Sequence, residues 1–451
     1  MKRRMDAVVE LETGTLVGER AGSLLHFRGI PYARAERFAP PESPSPLRGK
    51  RDASRHGPVC PQSPSRFDTI TGAQSPAPQD ENCLSLSITT TNTTGPLKPV
   101  MVWIHGGAYL IGSGTSPWYG GDALVQQGDV VFVSINYRLG VFGYLQAEGI
   151  APGNLGVLDQ IAALRWVQHN IERFGGDPAR VTVFGESAGG HSILTLMSTP
   201  DTRGLFQRAI VQSAHLGVGF TSKKTAARVA RAFLKALDGV DPRSATTAQL
   251  LAAQLFAVRT FAGRWELNST PAFGPIAGTT PLPASADLVR TPAETQPEVA
   301  LLIGKNREEA QFFSAVSPLS ESLANLPFAA KMSVGISAGF TKRIFHLPLL
   351  ALASAHAQAG GEVYTYDFAW QPKSRAFGAC HTLELPFVFG AQAAWEKAPM
   401  LGGASWAEVD RLGREMRQAW TNFAHGQSPS HGMQTSWPRH VPGGALGRLF
   451  H

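Results

Sequence analysis

The chain has 451 residues, 43% of them apolar and 17% charged, with a formal net charge of +7 and three cysteines. That length allows one large core or two ordinary ones. The positive excess is scattered in short clusters (Lys2 to Arg4, Arg48 to Arg51, Lys223-Lys224, Arg228 to Lys235), which describes a solvated basic surface and excludes a nucleic-acid groove.

In chain order, the amino terminus has a basic start followed by Asp6 and Glu10, without an apolar run of signal-peptide length, and no stretch of about 18 apolar residues occurs later. A soluble, cytoplasmic protein without membrane insertion is expected, monomeric or weakly homo-oligomeric. Residues 7–33 alternate as short antiparallel strands. Residues 39–80, rich in Pro, Ser and Arg, should form a long surface loop tied down near Cys60. Cys60, Cys83 and Cys380 are too few for a zinc site or a disulfide scaffold, with Cys60 and Cys83 left as a possible pair.

Leu84 to Thr89 and Pro99 to Ile104 should be strands, the second running into His105-Gly106-Gly107-Ala108. Val130 to Tyr137 has the near-continuous apolar character of a strand buried on both faces. Leu158 to Phe174 is a helix by its apolar face, stopped by Gly175-Gly176-Asp177-Pro178. Val181 to Phe184 then enters Gly185-Glu186-Ser187-Ala188-Gly189 and a further apolar helix. Ala209 to Gln212, Val299 to Gly304 and Glu362 to Phe368 are later strands, with helical sequence between them. The alternation predicts an α/β fold with a mainly parallel central sheet, helices on both faces and antiparallel strands at the amino terminus. Reactive groups in such sheets gather beyond the carboxyl ends of the strands.

Ser187 stands at the apex of strand, sharp turn and helix. A serine hydroxyl is a weak nucleophile that must stand clear of the backbone, so the turn demands small residues on either side. A second match, Gly335-Ile336-Ser337-Ala338-Gly339, lacks a preceding buried strand and is set aside. Acyl transfer then needs a base, a carboxylate to orient it and N–H donors for the oxyanion. Glu308 and Glu309 follow the strand at 299–304; adjacent side chains point apart, so one can face the base while its neighbour is solvated. His381 is the one downstream histidine on a small-residue loop, Phe377-Gly378-Ala379-Cys380, after a strong strand. The Gly106-Gly107-Ala108 turn is a candidate oxyanion loop, because small residues let backbone N–H groups approach a substrate.

With these residues assembled, the chain resembles the type-B carboxylesterase and cholinesterase-like family of α/β hydrolases, most nearly its bacterial para-nitrobenzyl esterases. The matching text includes residues 27–33, Arg37-Phe38, Glu81 to Leu84, Val102 to Gly107, Asn136 to Gly140, Gly153 to Gly156, Leu158 to Gln160, Phe174 to Pro178, Phe184 to Gly190, Gln212-Ser213, and His381 with Glu384 to Phe387. The resemblance implies one α/β-hydrolase catalytic domain over 1–451 and hydrolysis of small-molecule carboxylic esters through an acyl-enzyme. It implies Ser187 as nucleophile, Glu309 as acid and His381 as base, with oxyanion donors from Gly107, Ala108 and Ala188 and Gly106 in the same loop. It further implies that Glu186 and Ser213 stand behind the reacting groups, Ser213 near the acid, that Phe312 and Phe313 line the pocket, and that Arg37 pairs with Glu81. No metal or organic cofactor is implied, and activity is expected to fall below about pH 6 as His381 takes up a proton.

Ala310 stands where the family often has glycine, which would strain the acid loop if that position required positive φ. Asn82 replaces the usual aspartate, and the helical wall around 310–360 is shorter than is typical. The loop from Cys60 to Cys83 contains no tryptophan, which argues against choline esters. A lipase, a natural-product ester, amide or carbamate hydrolase, and a non-catalytic binding module are the rival readings. The missing aromatic lid weighs against the first and the complete set of reacting residues against the last.

Overall fold

Period-two alternation builds the centre of the molecule, a computed structural model that describes residues 6–46, 49–73, 77–262, 271–316, 329–374 and 376–451. Along the strand at Lys98–Ile104, Val100, Val102 and Ile104 enter one apolar cluster, while Met101 and Trp103 enter another. The next strands divide the same way: Val181 and Val183 against Phe184, Ala209 and Val211 against Ile210, Leu301 and Ile303 against Leu302. A sheet buried on both faces follows from such runs.

In chain order the strands are β1 (Asp6–Leu11), β2 (Gly14–Ala21), β3 (Leu24–Pro31), β4 (Lys50–Asp52), β5 (Ser85–Thr90), β6 (Lys98–Ile104), β7 (Val131–Ile135), β8 (Gln146–Ala147), β9 (Ala151–Pro152), β10 (Gly176–Glu186), β11 (Arg208–Gln212), β12 (Ala300–Asn306), β13 (Val363–Phe368) and β14 (Arg448–Phe450). The main sheet runs β1-β2-β3-β5-β7-β6-β10-β11-β12-β13-β14, with β4 on β2 and β8-β9 a separate ribbon. From β7 to β14 the pairing is parallel, and from β1 to β7 along that path it is antiparallel. The expected mainly parallel sheet with an antiparallel amino-terminal edge is therefore present.

Boundaries differ from the expectation by a few residues. The helix expected at 158–174 spans Leu155–Asn170 and tightens into a 3₁₀ turn over Ile171–Phe174. β10 starts earlier than its apolar run because Gly176 pairs with Lys98 across a register shift. The described residues of the 39–80 segment are mostly irregular, as expected, and Cys60 anchors them by accepting the Leu139 N–H at 3.2 Å. Cys60 and Cys83 are both buried free thiols, and the hydrogen bond between them together with burial raises the Cys83 pKa. Arg37 forms its expected two-pronged pair with Glu81, at 2.8 and 2.5 Å. Ala310 opens the helix Ala310–Ala315 without positive φ, so its Cβ meets no backbone strain. Of the wall segment expected at 310–360, residues 317–328 lie outside the described residues, and helices Ala329–Thr341 and Leu347–Gln358 follow.

Candidate active site

β10 ends at Glu186 and a helix begins at Ala188, leaving Ser187 alone at the bend with φ 56° and ψ −121°. A side chain in that conformation is strained, and the bend is held from both sides. The Ser187 N–H donates to Gln212 O at 2.9 Å, and the Ser187 carbonyl accepts from the His191 N–H at 2.9 Å. Gly185 is required because a Cβ there would lie 2.6 Å from the Ile104 carbonyl oxygen, and one on Gly189 would strike the same atom. The competing Ser337 lies within the helix Ala329–Thr341 with its hydroxyl 3.0 Å from that of Ser314. No turn exposes it.

The loop after β13 brings His381 to this bend. Its Nδ1 lies 2.6 Å from Glu309 Oε2, and Glu309 Oε1 accepts the Asn306 N–H at 2.7 Å, so both carboxylate oxygens are committed. A carboxylate accepts only, so Nδ1 carries a proton in either charge state, and Nε2 is the nitrogen that gains or loses one as the ring titrates. Nε2 faces Glu186 Oε1 at 3.0 Å, an approach outside hydrogen-bond geometry, since that oxygen has no hydrogen-bond partner. Burial lowers the basicity of His381, but Glu186, Glu309 and Glu384 outweigh it and lift the pKa to about 9. Burial pushes the Glu186 carboxyl well above the usual carboxylate range, with Glu384 and Glu309 adding to the effect and His381 opposing it. Phe312, Phe313 and Phe345 pack on the imidazole with centroids at 5.6, 5.1 and 5.6 Å.

Of the oxyanion candidates, Ala188 follows Ser187 directly and Gly106 adjoins it in space. Gly106 approaches so closely that a Cβ would sit 3.2 Å from Ser187 Cβ. Gly107, Ala108 and Tyr109 follow with φ of 110°, 55° and 62°, three successive left-handed residues that turn the backbone sharply. Among the described residues, the N–H groups of Gly107, Ala108 and Ala188 have no backbone acceptor.

The Ser213 hydroxyl faces Glu384 Oε1 at 3.5 Å, and its N–H donates to Gly304 O at 2.9 Å on the strand that leads to Glu309. One neighbour differs from expectation. Glu308 is not a solvated charge, because its Oε2 accepts from the Ala379 N–H at 2.8 Å and from Gln371 Nε2 at 2.5 Å. It braces the loop that carries His381. Glu384 itself, buried, received no role from the sequence, and its spacing of one helical turn from His381 is the signal that could have found it. Asn306 Nδ2 donates to it at 2.5 Å, and burial raises its pKa to about 7, with Glu309 adding to the rise. Among the described residues no cluster suited to a metal ion occurs.

The carboxylesterase family model matches residues 5–326 and 328–444. A probable N-octanoylanthranilate hydrolase of Rhodococcus erythropolis is 42% identical over 441 residues, covering 97% of this chain and 96% of its own length. The para-nitrobenzyl esterase of Bacillus subtilis is 36% identical over 466 residues, covering 96% and 92%. Among solved structures, a thermophilic para-nitrobenzyl esterase superposes with a TM-score of 0.83 at 34% identity, covering 97% of this chain and 94% of that one.

Proposed function

The chain belongs to the carboxylesterase family and is an α/β-hydrolase acting on carboxylic esters, and we propose that it does so through Ser187 as nucleophile, His381 as base and Glu309 as the acid that orients it. The observation that carries this reading is the single short bond of 2.6 Å between His381 and Glu309 at the bend that presents Ser187.

In the proposed reaction, Nε2 of His381 turns from Glu186 to the Ser187 hydroxyl and takes its proton while Oγ attacks the ester carbonyl. Glu309 holds Nδ1–H and stabilises the imidazolium. The N–H groups of Gly107, Ala108 and Ala188 receive the oxyanion, where loss of one donor typically costs ~10²–10³ in rate. The C–O bond to the alcohol breaks as His381 returns the proton to the leaving oxygen. Water then repeats the sequence on the acyl-enzyme.

The phenylalanines around His381 favour an apolar, flat substituent beside the scissile bond. The names of two relatives add benzyl esters and N-acyl aryl amides to the substrates worth testing. No helix among the described residues is long and apolar enough to cross a membrane; we place the enzyme in the cytoplasm, with 1–451 as one catalytic domain, on the strength of its free thiols and of one sheet running from β1 to β14.

The test is labelling with a fluorophosphonate followed by peptide mapping, on the wild type and Ser187→Ala. Label on the Ser187 peptide, lost together with ester hydrolysis in the variant, is expected. Label on Ser337, or hydrolysis retained without Ser187, sinks the assignment.

A further inference from the structure

The reaction above uses His381 and leaves a second buried histidine, His191, without a task. It lies one turn along the helix Ala188–Met197 that starts at the nucleophile. Its Nε2 is 3.3 Å from the Gly219 carbonyl oxygen, which can only accept, so Nε2 carries the proton. Its Nδ1 is therefore an acceptor, and the Tyr109 hydroxyl lies 2.7 Å away as donor. The Tyr109 oxygen in turn accepts from Ser192 Oγ at 3.3 Å, and Ser192 accepts from Gln160 Nε2 at 3.1 Å. The result is one directed chain of donors: Gln160 to Ser192, Ser192 to Tyr109, Tyr109 to His191, His191 to Gly219. Burial holds the His191 pKa down at about 4, so the neutral tautomer that this order requires is the form present at working pH.

Tyr109 is the residue directly after the oxyanion donor Ala108, and both have left-handed φ although neither is glycine. Such a conformation persists only where the surroundings over-determine it. The backbone supplies part of that restraint, through Gly140 N–H to Tyr109 O at 2.7 Å. The ring supplies the rest: fully buried, against Tyr144 at 4.8 Å, with its hydroxyl tied to the nucleophile helix. We propose that Tyr109 and His191 act as positioning residues that lock the oxyanion loop to the nucleophile helix, fixing the distance between the Ala108 and Ala188 N–H groups. This rests on the assignment of those groups to the oxyanion and extends it to the residues that hold them in place.

The experiment uses the full-length enzyme and four variants: Tyr109→Phe, His191→Leu, the two combined, and His191→Asn, whose Oδ1 can replace Nδ1 as acceptor. Tyr109→Phe and His191→Leu should each lower kcat by about 10- to 100-fold with KM within about threefold. His191→Asn should recover most of the loss. The double variant should be no worse than the poorer single one, since each breaks the same bond. Inhibition by a boronic acid, whose tetrahedral adduct occupies the oxyanion position, should weaken in parallel with kcat, while the acidic limb of the pH profile stays in place because His381 is untouched. Tyr109→Phe removes one oxygen atom and decides the matter if the leucine variant folds poorly. A kcat within about twofold of wild type in Tyr109→Phe, multiplied losses in the double variant, or a shifted pH limb with unchanged boronate affinity would overturn the proposal. Ser187→Ala separates the two readings: if it stays active the nucleophile assignment fails, and if it is dead while Tyr109→Phe is unaffected only the lock fails.

Discussion

Replacing Glu186 by glutamine removes the carboxylate whose Oε1 lies 3.0 Å from Nε2 of His381 while keeping the side chain's size. At an effective dielectric of ~20, two full unit charges at that separation would attract by about 5–6 kcal/mol, the equivalent of ~4 pH units, an upper bound here because burial holds the Glu186 carboxyl well above the usual carboxylate range. Burial opposes this attraction, and the balance with Glu309 and Glu384 leaves His381 lifted from 6.5 to about 9. Glu309 and Glu384 remain in the variant, and Glu186 and His381 titrate as a coupled pair, so the expected fall is about 1–2 units rather than the whole Coulomb value. The sign follows from the base role proposed for His381. A raised folded pKa keeps the proton on the imidazole to higher pH, and the protonated ring cannot accept from Ser187, so kcat/KM falls as pH drops through that value. The wild-type limb should therefore lie above 6.5 rather than near the pH 6 that an unperturbed histidine suggests. Relative to its own plateau, Glu186→Gln should be the more active enzyme between pH 6 and 7. The assay is kcat/KM for a neutral ester from pH 5 to 10 in both proteins. A limb that stays within about 0.3 unit of wild type, or moves upward, refutes the reasoning.

Two further substitutions test the same cluster from other sides. Glu384 is buried, with its pKa raised from 4.5 to about 7, so its contribution to stability is present below pH 4.5 and is lost as pH rises through 7. Glu384→Gln should raise the unfolding free energy by at most ~3 kcal/mol at pH 8–9 and leave it unchanged near pH 4, as read from urea titrations; an equal difference at both pH values would contradict the electrostatic origin. Glu308→Ala deletes the acceptor of the Ala379 N–H and should cut kcat by about 10- to 100-fold through a displaced His381 loop, with KM little changed. Glu308→Gln, which keeps an acceptor oxygen, should recover activity in the same kinetic assay, and failure to do so would show that the charge rather than the bond matters.

The sheet could be foreseen because strands such as Val131–Ile135 are buried on both faces and so leave continuous apolar runs in the sequence. Ser187 could be foreseen because its geometry is local, fixed by glycines two residues to either side. His381 needed elimination among downstream histidines, and Glu309 needed resemblance, since nothing in the sequence distinguishes it from Glu308. The Tyr109–His191 contact joins residues 82 positions apart, and no periodicity of either segment announces it. The N-terminal irregular segment was legible only as irregular.

The two glutamates show why local rules stopped where they did. Adjacent side chains on a loop point apart, and they do so here, but divergence implies solvation for one of them only if the chain on that side is open. It is closed, because Gln371, Ala379 and His381 all return to the two glutamates that follow β12. Glu309, at the cap of the helix Ala310–Ala315, is aimed at the imidazole. Glu308, one residue earlier, meets the backbone of Ala379 two residues before that imidazole, and its own N–H donates to the Ala379 carbonyl at 2.9 Å. One carboxylate sets the direction of the ring and the other sets the height of the loop beneath it, so both charges are spent on the placement of a single side chain.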